Sequence, residues 1–284
     1  MPQSALMTYA QNTWCPGCGN FAILNALKAV LTELEQEGFN LRNVVLVSGI
    51  GCHAKIVDYL EVNSFYSLHG RVVPVAEGIK LGNRALRVIG FSGDGDSYGE
   101  GLEHLLFAAK RNINITMIIH NNRVYGLTTG QYTPTSPLGF KGRSTPEGTR
   151  EHPFNPLELL LASQATFLGR GTSHGIELLK KLFRAAILHQ GFALVDVLQV
   201  CVTYNNLYEY YDQRVYELAG HDPADFTKAL EVIRAWDYNT DTKIPLGILY
   251  QREDAPVFME GSPRQTEDTR DKSAQVTAYL SDAL

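Results

Sequence analysis

The chain has 284 residues, of which 44% are hydrophobic, and its formal net charge is -5. This length and composition predict one large domain, or one domain with an appendage, that buries a sizeable core. The slightly acidic balance argues against nucleic acid as a main partner, and no apolar run is long enough to span a bilayer. Residues 1–14 contain no basic region followed by an apolar core, so we expect no secretory signal and a cytoplasmic location.

Apolar periodicity predicts alternating helices and strands, which is typical of an α/β fold: an open, mostly parallel sheet with helices on both faces. In chain order the predictions are a helix over about 20–36, a strand over 43–48, a helix over about 72–83, a strand over 87–92, a helix over 101–111, a strand over 114–120, a loop over 128–150, a helix over 156–162, a strand over 165–169, a helix over 175–190 and a last clear strand over 192–200. A loop as long as the one over 128–150 is usually functional or a lid. We predict a main domain over 1–205 and a C-terminal extension over 206–284 that packs on this domain or on a partner.

The strand–helix–strand unit over 87–120 carries the clearest candidate site. Its two strands are expected to be parallel neighbours, so Asp94 and Asn122 lie just beyond two adjacent carboxyl ends, where ligands bind in such sheets. Gly93 and Gly95 let the backbone approach a ligand, and the helix N-terminus that follows favours a phosphate. The Asp94 carboxylate and the Asn122 amide oxygen can hold Mg²⁺ against a diphosphate. The alternative is a plain turn between two strands.

Four cysteines are expected to reach one place. Cys15 and Cys18 form a Cys-x-x-Cys turn, and Cys52 and Cys201 fall at the carboxyl ends of predicted strands. In a reducing compartment, four thiols suit Zn²⁺ or an iron–sulfur cluster, and the spacing does not separate the two. The alternatives are a redox pair at Cys15 and Cys18, and burial of Cys52 and Cys201 as small apolar side chains.

Gly-Asp-Gly followed at this distance by Asn-Asn resembles the thiamine diphosphate signature. The resemblance implies that Asp94, Asn122 and the backbone carbonyl of Val124 bind the metal. Taken with four further stretches, the chain resembles the β subunit of the 2-oxoacid:ferredoxin oxidoreductases, most closely those that act on 2-oxoglutarate. The matching segments are WCPGCGN (14–20), SGIGCHAKI (48–56), HGRVVPVAEGIKLGN (69–83), GDGDSYGEG (93–101), HNNRVYGLTTGQYTPTSP (120–137) and the strand that ends at Cys201. These segments span roughly the first two-thirds of the chain, and the sequence beyond Asn206 matches only loosely.

The resemblance implies several things that the residues alone do not. It implies thiamine diphosphate with Mg²⁺ and one [4Fe–4S] cluster, both within residues 1–205, and the cluster ligands would be Cys15, Cys18, Cys52 and Cys201. Cofactor-lining positions would be Gly49, Ile50, Cys52 and His69. Lys55 matches a position linked with the distal carboxylate of 2-oxoglutarate, and Leu127 a position near the substrate. The alternative for Lys55 is an exposed lysine at a helix start, and for His69 a turn histidine.

The implied activity is oxidative decarboxylation of a 2-oxoacid with coenzyme A to acyl-CoA and CO₂, with electrons passed through the cluster to ferredoxin. An α subunit is expected as partner, because no residue of this chain is assigned as the glutamate that activates the aminopyrimidine ring. Three alternatives stay open: a non-oxidative thiamine-dependent decarboxylase subunit, pyruvate as the substrate, and a zinc-stabilised or electron-transfer subunit without thiamine. A nicotinamide-binding domain is disfavoured, because the Gly-x-Gly-x-x-Gly spacing is missing. His53 and His120 are expected to be structural.

Overall fold

A computed structural model of the chain describes residues 6–260, 277 and 281. Its strands are β1 (Val44–Ser48), β2 (Asn63–Tyr66), β3 (Arg87–Gly93), β4 (Thr116–Asn121), β5 (Phe167–Thr172), β6 (Ala193–Leu198), β7 (Val215–Glu217) and β8 (Ile244–Gln251). Its α-helices are α1 (Asn20–Gln36), α2 (Val72–Gly82), α3 (Leu102–Arg111), α4 (Pro156–Ala162), α5 (Ile176–Leu188), α6 (Tyr208–Arg214) and α7 (Phe226–Arg234). A 3₁₀ helix follows β1 (Cys52–Asp58), and a π-helical turn follows β3 (Gly95–Glu100).

The strands form one sheet in the order β2-β1-β3-β4-β6-β5-β8-β7. All neighbouring strands are parallel except β5 and β8, which are antiparallel. β3 pairs directly with β4, and Gly93 lies opposite His120. The carboxyl ends of these two strands therefore meet at the same edge of the sheet, as the sequence predicts.

Helices cover both faces of the sheet, which confirms the predicted α/β architecture. One face packs α1 and α5 against a core that includes Ile118 of β4. The other face packs α2, α3, α4 and α7 against a core that includes Met117 and Ile119 of the same strand. Because successive side chains of a strand point to opposite faces, a strand covered on both sides is buried at every position and mostly apolar. β4, β5 and β6 are accordingly buried at every position.

Two predictions about the later strands are wrong. The strand predicted over 165–169 runs from Phe167 to Thr172, because the polar Arg170 continues it: its guanidinium is buried over the rings of Trp236 and Tyr238, at 5.3 and 5.5 Å from their centroids. The strand over 192–200 is not the last one either. β7 and β8 follow it, and β8 joins the sheet beside β5.

The boundary at residue 206 stays a prediction, although part of the segment after it clearly belongs to the sheet. β8 has a positive φ of 134° at Gly247, and its pairing with β5 shifts register between Leu168 and Gly169. These irregularities break the two-residue alternation of side chains by which a strand is recognised in a sequence, so the sequence does not predict β8. The rest of the predicted extension, over 261–276, 278–280 and 282–284, lies outside the described residues. In the part that the structure describes, no helix is long and apolar enough to cross a membrane.

Candidate active site

The ends of β3 and β4 form the wall of a cavity of about 80 Å³. Residues from both predicted loops meet there, together with the loop after β1 and the turn before α2. Nine of the residues singled out from the sequence line this cavity: Ile50, Cys52, His69, Gly93, Asp94, Gly95, Asn122, Val124 and Leu127. The sheet order explains the convergence, because β1, β3 and β4 are consecutive neighbours and their carboxyl ends share one edge.

Asp94 is a buried carboxylate without an ion-pair partner among the described residues. Only 2% of it is exposed, and its Oδ2 accepts a hydrogen bond of 2.8 Å from the Thr135 hydroxyl. Burial raises the pKa of Asp94 to about 6, against the lowering effect of hydrogen bonds from Thr133 and Thr135. A buried anion of this kind is costly unless a cation compensates it. The donor set, a carboxylate beside the Asn122 amide oxygen and a backbone carbonyl, fits Mg²⁺.

Side-chain hydrogen bonds hold the carboxyl end of β4 in place. Asn121 donates from Nδ2 to Asp196 Oδ1 at 3.0 Å. The buried Asp196 carboxylate also accepts hydrogen bonds from Tyr98, at 3.0 Å, and from Tyr238, at 2.6 Å. Tyr238 follows residue 206, so the C-terminal part of the chain supports the strand end from which Asn122 projects. Asn122 Oδ1 accepts from the Val124 N–H at 3.1 Å, which orders the turn.

The long loop contributes a buried side chain to this site. Residues 128–150 contain no helix or strand, as the sequence predicts, and Thr135 is completely buried. Its hydroxyl donates to Asp94 and lies 3.0 Å from Asn121 Oδ1. One hydroxyl thus links the ends of β3 and β4. Nothing in the local sequence around Thr135 reveals this contact, because Asp94 is 41 residues away.

We expect Thr135→Val to weaken Mg²⁺-dependent binding of thiamine diphosphate by about 10-fold, the lower end of the range for groups that orient metal ligands. Valine fills the same space but removes the hydrogen bond of 2.8 Å that helps to orient the Asp94 carboxylate. Titration of the purified protein with thiamine diphosphate at fixed Mg²⁺, followed by tryptophan fluorescence, measures the change. Thr135→Ser keeps the hydroxyl and should bind within about two-fold of the parent. Equal binding by the valine variant would show that Thr135 does not orient Asp94.

Gly49 lies behind the cavity and does not line it. A Cβ at this position would stand 1.8 Å from Asp96 Oδ2, so only glycine lets the β1 end approach this carboxylate. Asp96 accepts hydrogen bonds from the Gly70 N–H at 2.5 Å and from the Ser92 hydroxyl at 2.7 Å. Burial would raise the pKa of Asp96, but His53, whose Nε2 lies 3.3 Å from Asp96 Oδ2, outweighs burial together with those two donors and lowers it.

His69 stands at the mouth of the cavity between two carboxylates. Its Nδ1 lies 3.2 Å from Glu100 Oε2 and 3.5 Å from Asp96 Oδ1. The Tyr125 hydroxyl lies 3.1 Å from both carboxylate oxygens of Glu100, which fixes Glu100 beside the histidine. These contacts orient the His69 ring at the cavity wall. The sequence did not single out Asp96, Glu100 or Tyr125, although Asp96 and Glu100 fall in the Gly-rich segment after β3.

His53 and His120, which the sequence suggested were structural, also line the cavity. His120 Nδ1 lies 2.8 Å from Asn20 Oδ1, whereas its Nε2 is buried with no hydrogen-bond partner in the described structure. Burial and the neighbouring His53 hold the pKa of His120 well below its ordinary value, so the ring is neutral. The position of His120 in the sequence could have indicated its place in the site, because it directly precedes Asn121 and Asn122 at the end of a strand.

All four cysteines line a second cavity of about 240 Å³. Cys15 and Cys18 precede α1, Cys52 begins the 3₁₀ helix after β1, and Cys201 follows β6. Across residues 6–260, 277 and 281, no three His, Cys, Asp or Glu side chains are arranged closely enough to hold a metal ion. The thiols therefore face one space without already standing at ligand distances.

The chemistry of these thiols nevertheless suits a bound cation. Burial raises the pKa of Cys18 to about 11, with a further rise from Cys201, Cys52 and Cys15. Burial and the thiols of Cys201 and Cys15 also raise the pKa of Cys52. Four thiolates facing one cavity repel each other, and iron or zinc would remove that repulsion and favour the deprotonated form. The residue types facing the cavity are those that bind iron or zinc, and a metal centre on them stays a prediction.

Lys55 lines the thiol cavity and not the smaller one. Its Nζ pairs with Asp58, whose other oxygen accepts a 2.9 Å hydrogen bond from Tyr66. Leu127 lines both cavities and is 58% exposed. Lys55 and Leu127 thus line the same cavity.

Comparisons with known proteins agree with this geometry. Residues 49–197 match the family described as thiamine pyrophosphate enzyme, C-terminal TPP binding domain, and residues 201–267 match the family described as the C-terminal part of the pyruvate ferredoxin oxidoreductase beta subunit. The 2-oxoacid:ferredoxin oxidoreductase subunit beta of Saccharolobus solfataricus is 42% identical over 257 residues, which cover 85% of this chain and 82% of that protein. The 2-oxoglutarate oxidoreductase subunit KorB of Mycobacterium tuberculosis is 46% identical over 193 residues, which cover 68% of this chain and 51% of that protein.

A solved structure is similar over nearly the whole chain. It is the 2-oxoglutarate:ferredoxin oxidoreductase from Magnetococcus marinus with 2-oxoglutarate, coenzyme A and succinyl-CoA bound, with a TM-score of 0.85, 31% identity, and coverage of 98% of this chain and 96% of that one. The predicted family, the α/β fold and the thiamine-binding domain are thus confirmed. This chain belongs to the 2-oxoacid:ferredoxin oxidoreductases, as a β subunit that carries their thiamine diphosphate-binding domain.

Proposed function

We propose that the chain binds thiamine diphosphate with Mg²⁺ at the β3–β4 edge and holds one [4Fe–4S] cluster on Cys15, Cys18, Cys52 and Cys201. With an α subunit it oxidises 2-oxoglutarate with coenzyme A to succinyl-CoA and CO₂, and it delivers the electrons to ferredoxin. One observation carries the proposal: the cavity lined by all four thiols shares a wall with the cavity lined by Asp94 and Asn122. A non-oxidative thiamine enzyme has no need of four thiols at that place.

The residues of the smaller cavity divide the work of holding the cofactor. Asp94, Asn122 and the Val124 carbonyl would hold Mg²⁺, and the glycine backbone after β3 would leave room for the diphosphate. His69, fixed between Asp96 and Glu100, orients the cofactor at the mouth. When bound, thiamine diphosphate supplies the nucleophilic carbon and the cluster supplies a one-electron carrier.

This chain encloses only part of the site. A cavity of about 80 Å³ is far below the roughly 300–1,000 Å³ usual for pockets that enclose a whole cofactor. Two apolar side chains that line it are exposed, Ile50 at 40% and Leu127 at 58%, and Leu68, which directly precedes His69, is 75% exposed. Exposed apolar groups around an incomplete cavity favour a partner that covers them. We therefore assign this surface to the α subunit, which would complete the cofactor and substrate pocket.

Substrate choice is assigned to Lys55. We expect Lys55→Ala to raise the KM for 2-oxoglutarate by about 10-fold or more, because a hydrogen bond to a charged group contributes about 1.5–3 kcal/mol. The KM for pyruvate, which lacks the second carboxylate, should change by less than about two-fold. Steady-state assays of the αβ complex on both acids test this, with Lys181→Ala on α5 as the control. An equal change in KM for both acids would contradict the role of Lys55 in substrate choice. A higher kcat/KM for pyruvate than for 2-oxoglutarate in the parent would favour pyruvate as the substrate.

The central experiment is anaerobic purification of the chain with its α partner, followed by assays of iron, acid-labile sulfide and zinc. We expect about four irons and four sulfides per chain, as four cysteine ligands require. Addition of 2-oxoglutarate with thiamine diphosphate should then bleach the visible absorbance. Zinc, or no metal, in a colourless complex would overturn the oxidoreductase proposal and favour the non-oxidative decarboxylase.

A further inference from the structure

The two cavities meet along a common wall. The residues that line both are Gly51, Cys52, Asn122, Gly126, Leu127 and Gln199. Most of these residues are accounted for by the sequence motifs, because they are proposed ligands or lie next to one. The position of Gly126 is not explained in this way, since glycine has no side chain with which to bind a ligand.

Gly126 lies beside groups of both sites. A Cβ built on it would lie 3.6 Å from Cys201 Sγ, 3.8 Å from Cys52 Sγ and 3.9 Å from Asn122 Nδ2. The first two atoms belong to the thiol cavity and the third to the proposed Mg²⁺ ligand. The one α-hydrogen that a Cβ would replace therefore faces two thiols and the amide of the neighbouring site at once.

The backbone does not require glycine at this position. Gly126 is not among the residues with positive φ, in contrast to Gly130 a few residues later with a φ of 104°. Its turn is also held firmly, because Tyr125 N donates to Gln131 O at 2.9 Å and Thr129 N donates to Gly126 O at 3.2 Å. The free space beside Gly126 is thus a fixed feature of the loop. Glycine serves this position because it has no side chain to fill that space.

We propose that Gly126 is a positioning residue that keeps this space open, so that a cluster can assemble on Cys52 and Cys201 directly beside the thiamine site. The inference rests on the proposed function. An alanine methyl at 3.6–3.9 Å makes ordinary van der Waals contact with the two sulfurs and the amide. The methyl groups of valine reach roughly 1.5 Å further and take the room that the metal centre needs.

The test compares Gly126→Ala and Gly126→Val with the parent, each purified anaerobically with its α partner. Gly78→Val on α2 is the matched control, because a Cβ there meets nothing within 4 Å and its φ is not positive. Three quantities are measured: iron per chain with the electron paramagnetic resonance spectrum after dithionite reduction, the Kd for thiamine diphosphate at fixed Mg²⁺, and the thermal unfolding midpoint. We expect valine to lose most of the iron, alanine to lose less or to show an altered spectrum, and the Kd for thiamine diphosphate to change by a smaller factor than the iron content.

Two results would overturn the inference. One is full iron with an unchanged spectrum in Gly126→Val, which would show that the space is not needed. The other is a parallel fall of iron, thiamine diphosphate binding and unfolding midpoint in Gly126→Val but not in Gly78→Val, which would show that glycine serves the fold. Absence of iron from the parent complex is a separate outcome, because it overturns the proposed function itself.

Discussion

Replacement of Asp94 by asparagine should abolish Mg²⁺-dependent binding of thiamine diphosphate, with a loss of affinity of about 100-fold or more. The change removes the negative charge that the metal needs and keeps the size of the side chain. It also keeps an oxygen that can accept the hydrogen bond from Thr135. Because losing an orienting group alone costs about 10- to 100-fold in metal affinity, losing the charged ligand should cost at least the upper value. Calorimetric titration with thiamine diphosphate and Mg²⁺ measures it.

The stability of this variant separates a lost ligand from a damaged fold. Burial raises the pKa of Asp94 to about 6 in the folded chain, above its unfolded value. For an acid shifted in this direction, the folded state is penalised above the folded pKa, and the penalty disappears as the pH falls below the unfolded pKa. At pH 8 without metal, Asp94→Asn should therefore unfold at an equal or higher temperature than the parent. A variant that is less stable and still binds thiamine diphosphate would contradict our assignment of Asp94.

Replacement of Cys201 by serine should remove the metal centre and leave the thiamine site in place. We expect iron to fall from about four per chain to below about one, since such clusters are held by deprotonated cysteine thiols and the serine hydroxyl stays protonated near neutral pH. Binding of thiamine diphosphate should stay within about three-fold, because Asp94 and Thr135 are untouched. Oxidation of the 2-oxoacid by ferredoxin should be lost.

Thr203→Val is a suitable control for the cysteine variant. The Thr203 hydroxyl lies 3.4 Å from Cys15 Sγ, so the change is made beside the same cavity without removing a thiol. This control should retain about four irons. Retention of iron by Cys201→Ser would show that Cys201 is not a ligand. Zinc in both variants would instead favour a structural metal on the remaining cysteines.

The sequence predicts the helices and the central strands well, because their signals are local. α4 is predicted with its observed bounds since Asn155 caps it, accepting from the Glu158 N–H, and Pro156 occupies its first turn. α1 ends where predicted, just before Gly38, which has a φ of 94°. β3 and β4 are apolar runs bounded by glycine or polar residues, so their parallel pairing and the meeting of their ends also followed from pattern alone.

Local patterns also predicted that the candidate ligands lie at one edge of the sheet, but they did not predict the residues that hold those ligands in place. Thr135 reaches Asp94 across 41 residues of chain, and Tyr238 reaches Asp196 across 42. The path of a long loop depends on packing against distant segments, which a single sequence does not encode in any period. β8 escaped prediction for the same reason, because its antiparallel place beside β5 depends on a contact about eighty residues back along the chain.

The sequence by itself therefore determined the family, the α/β layers and the edge where the chemistry takes place, since these follow from strand ends, glycines and residue types close together in the chain. Only the tertiary structure decided how the site is divided. It placed Lys55 and the four cysteines around one cavity and Asp94 in another, and it made Asn122 and Gly126 part of the wall between them. Distances between residues far apart in sequence arise from the packing of the whole sheet and its loops, and packing is not a property of any one stretch.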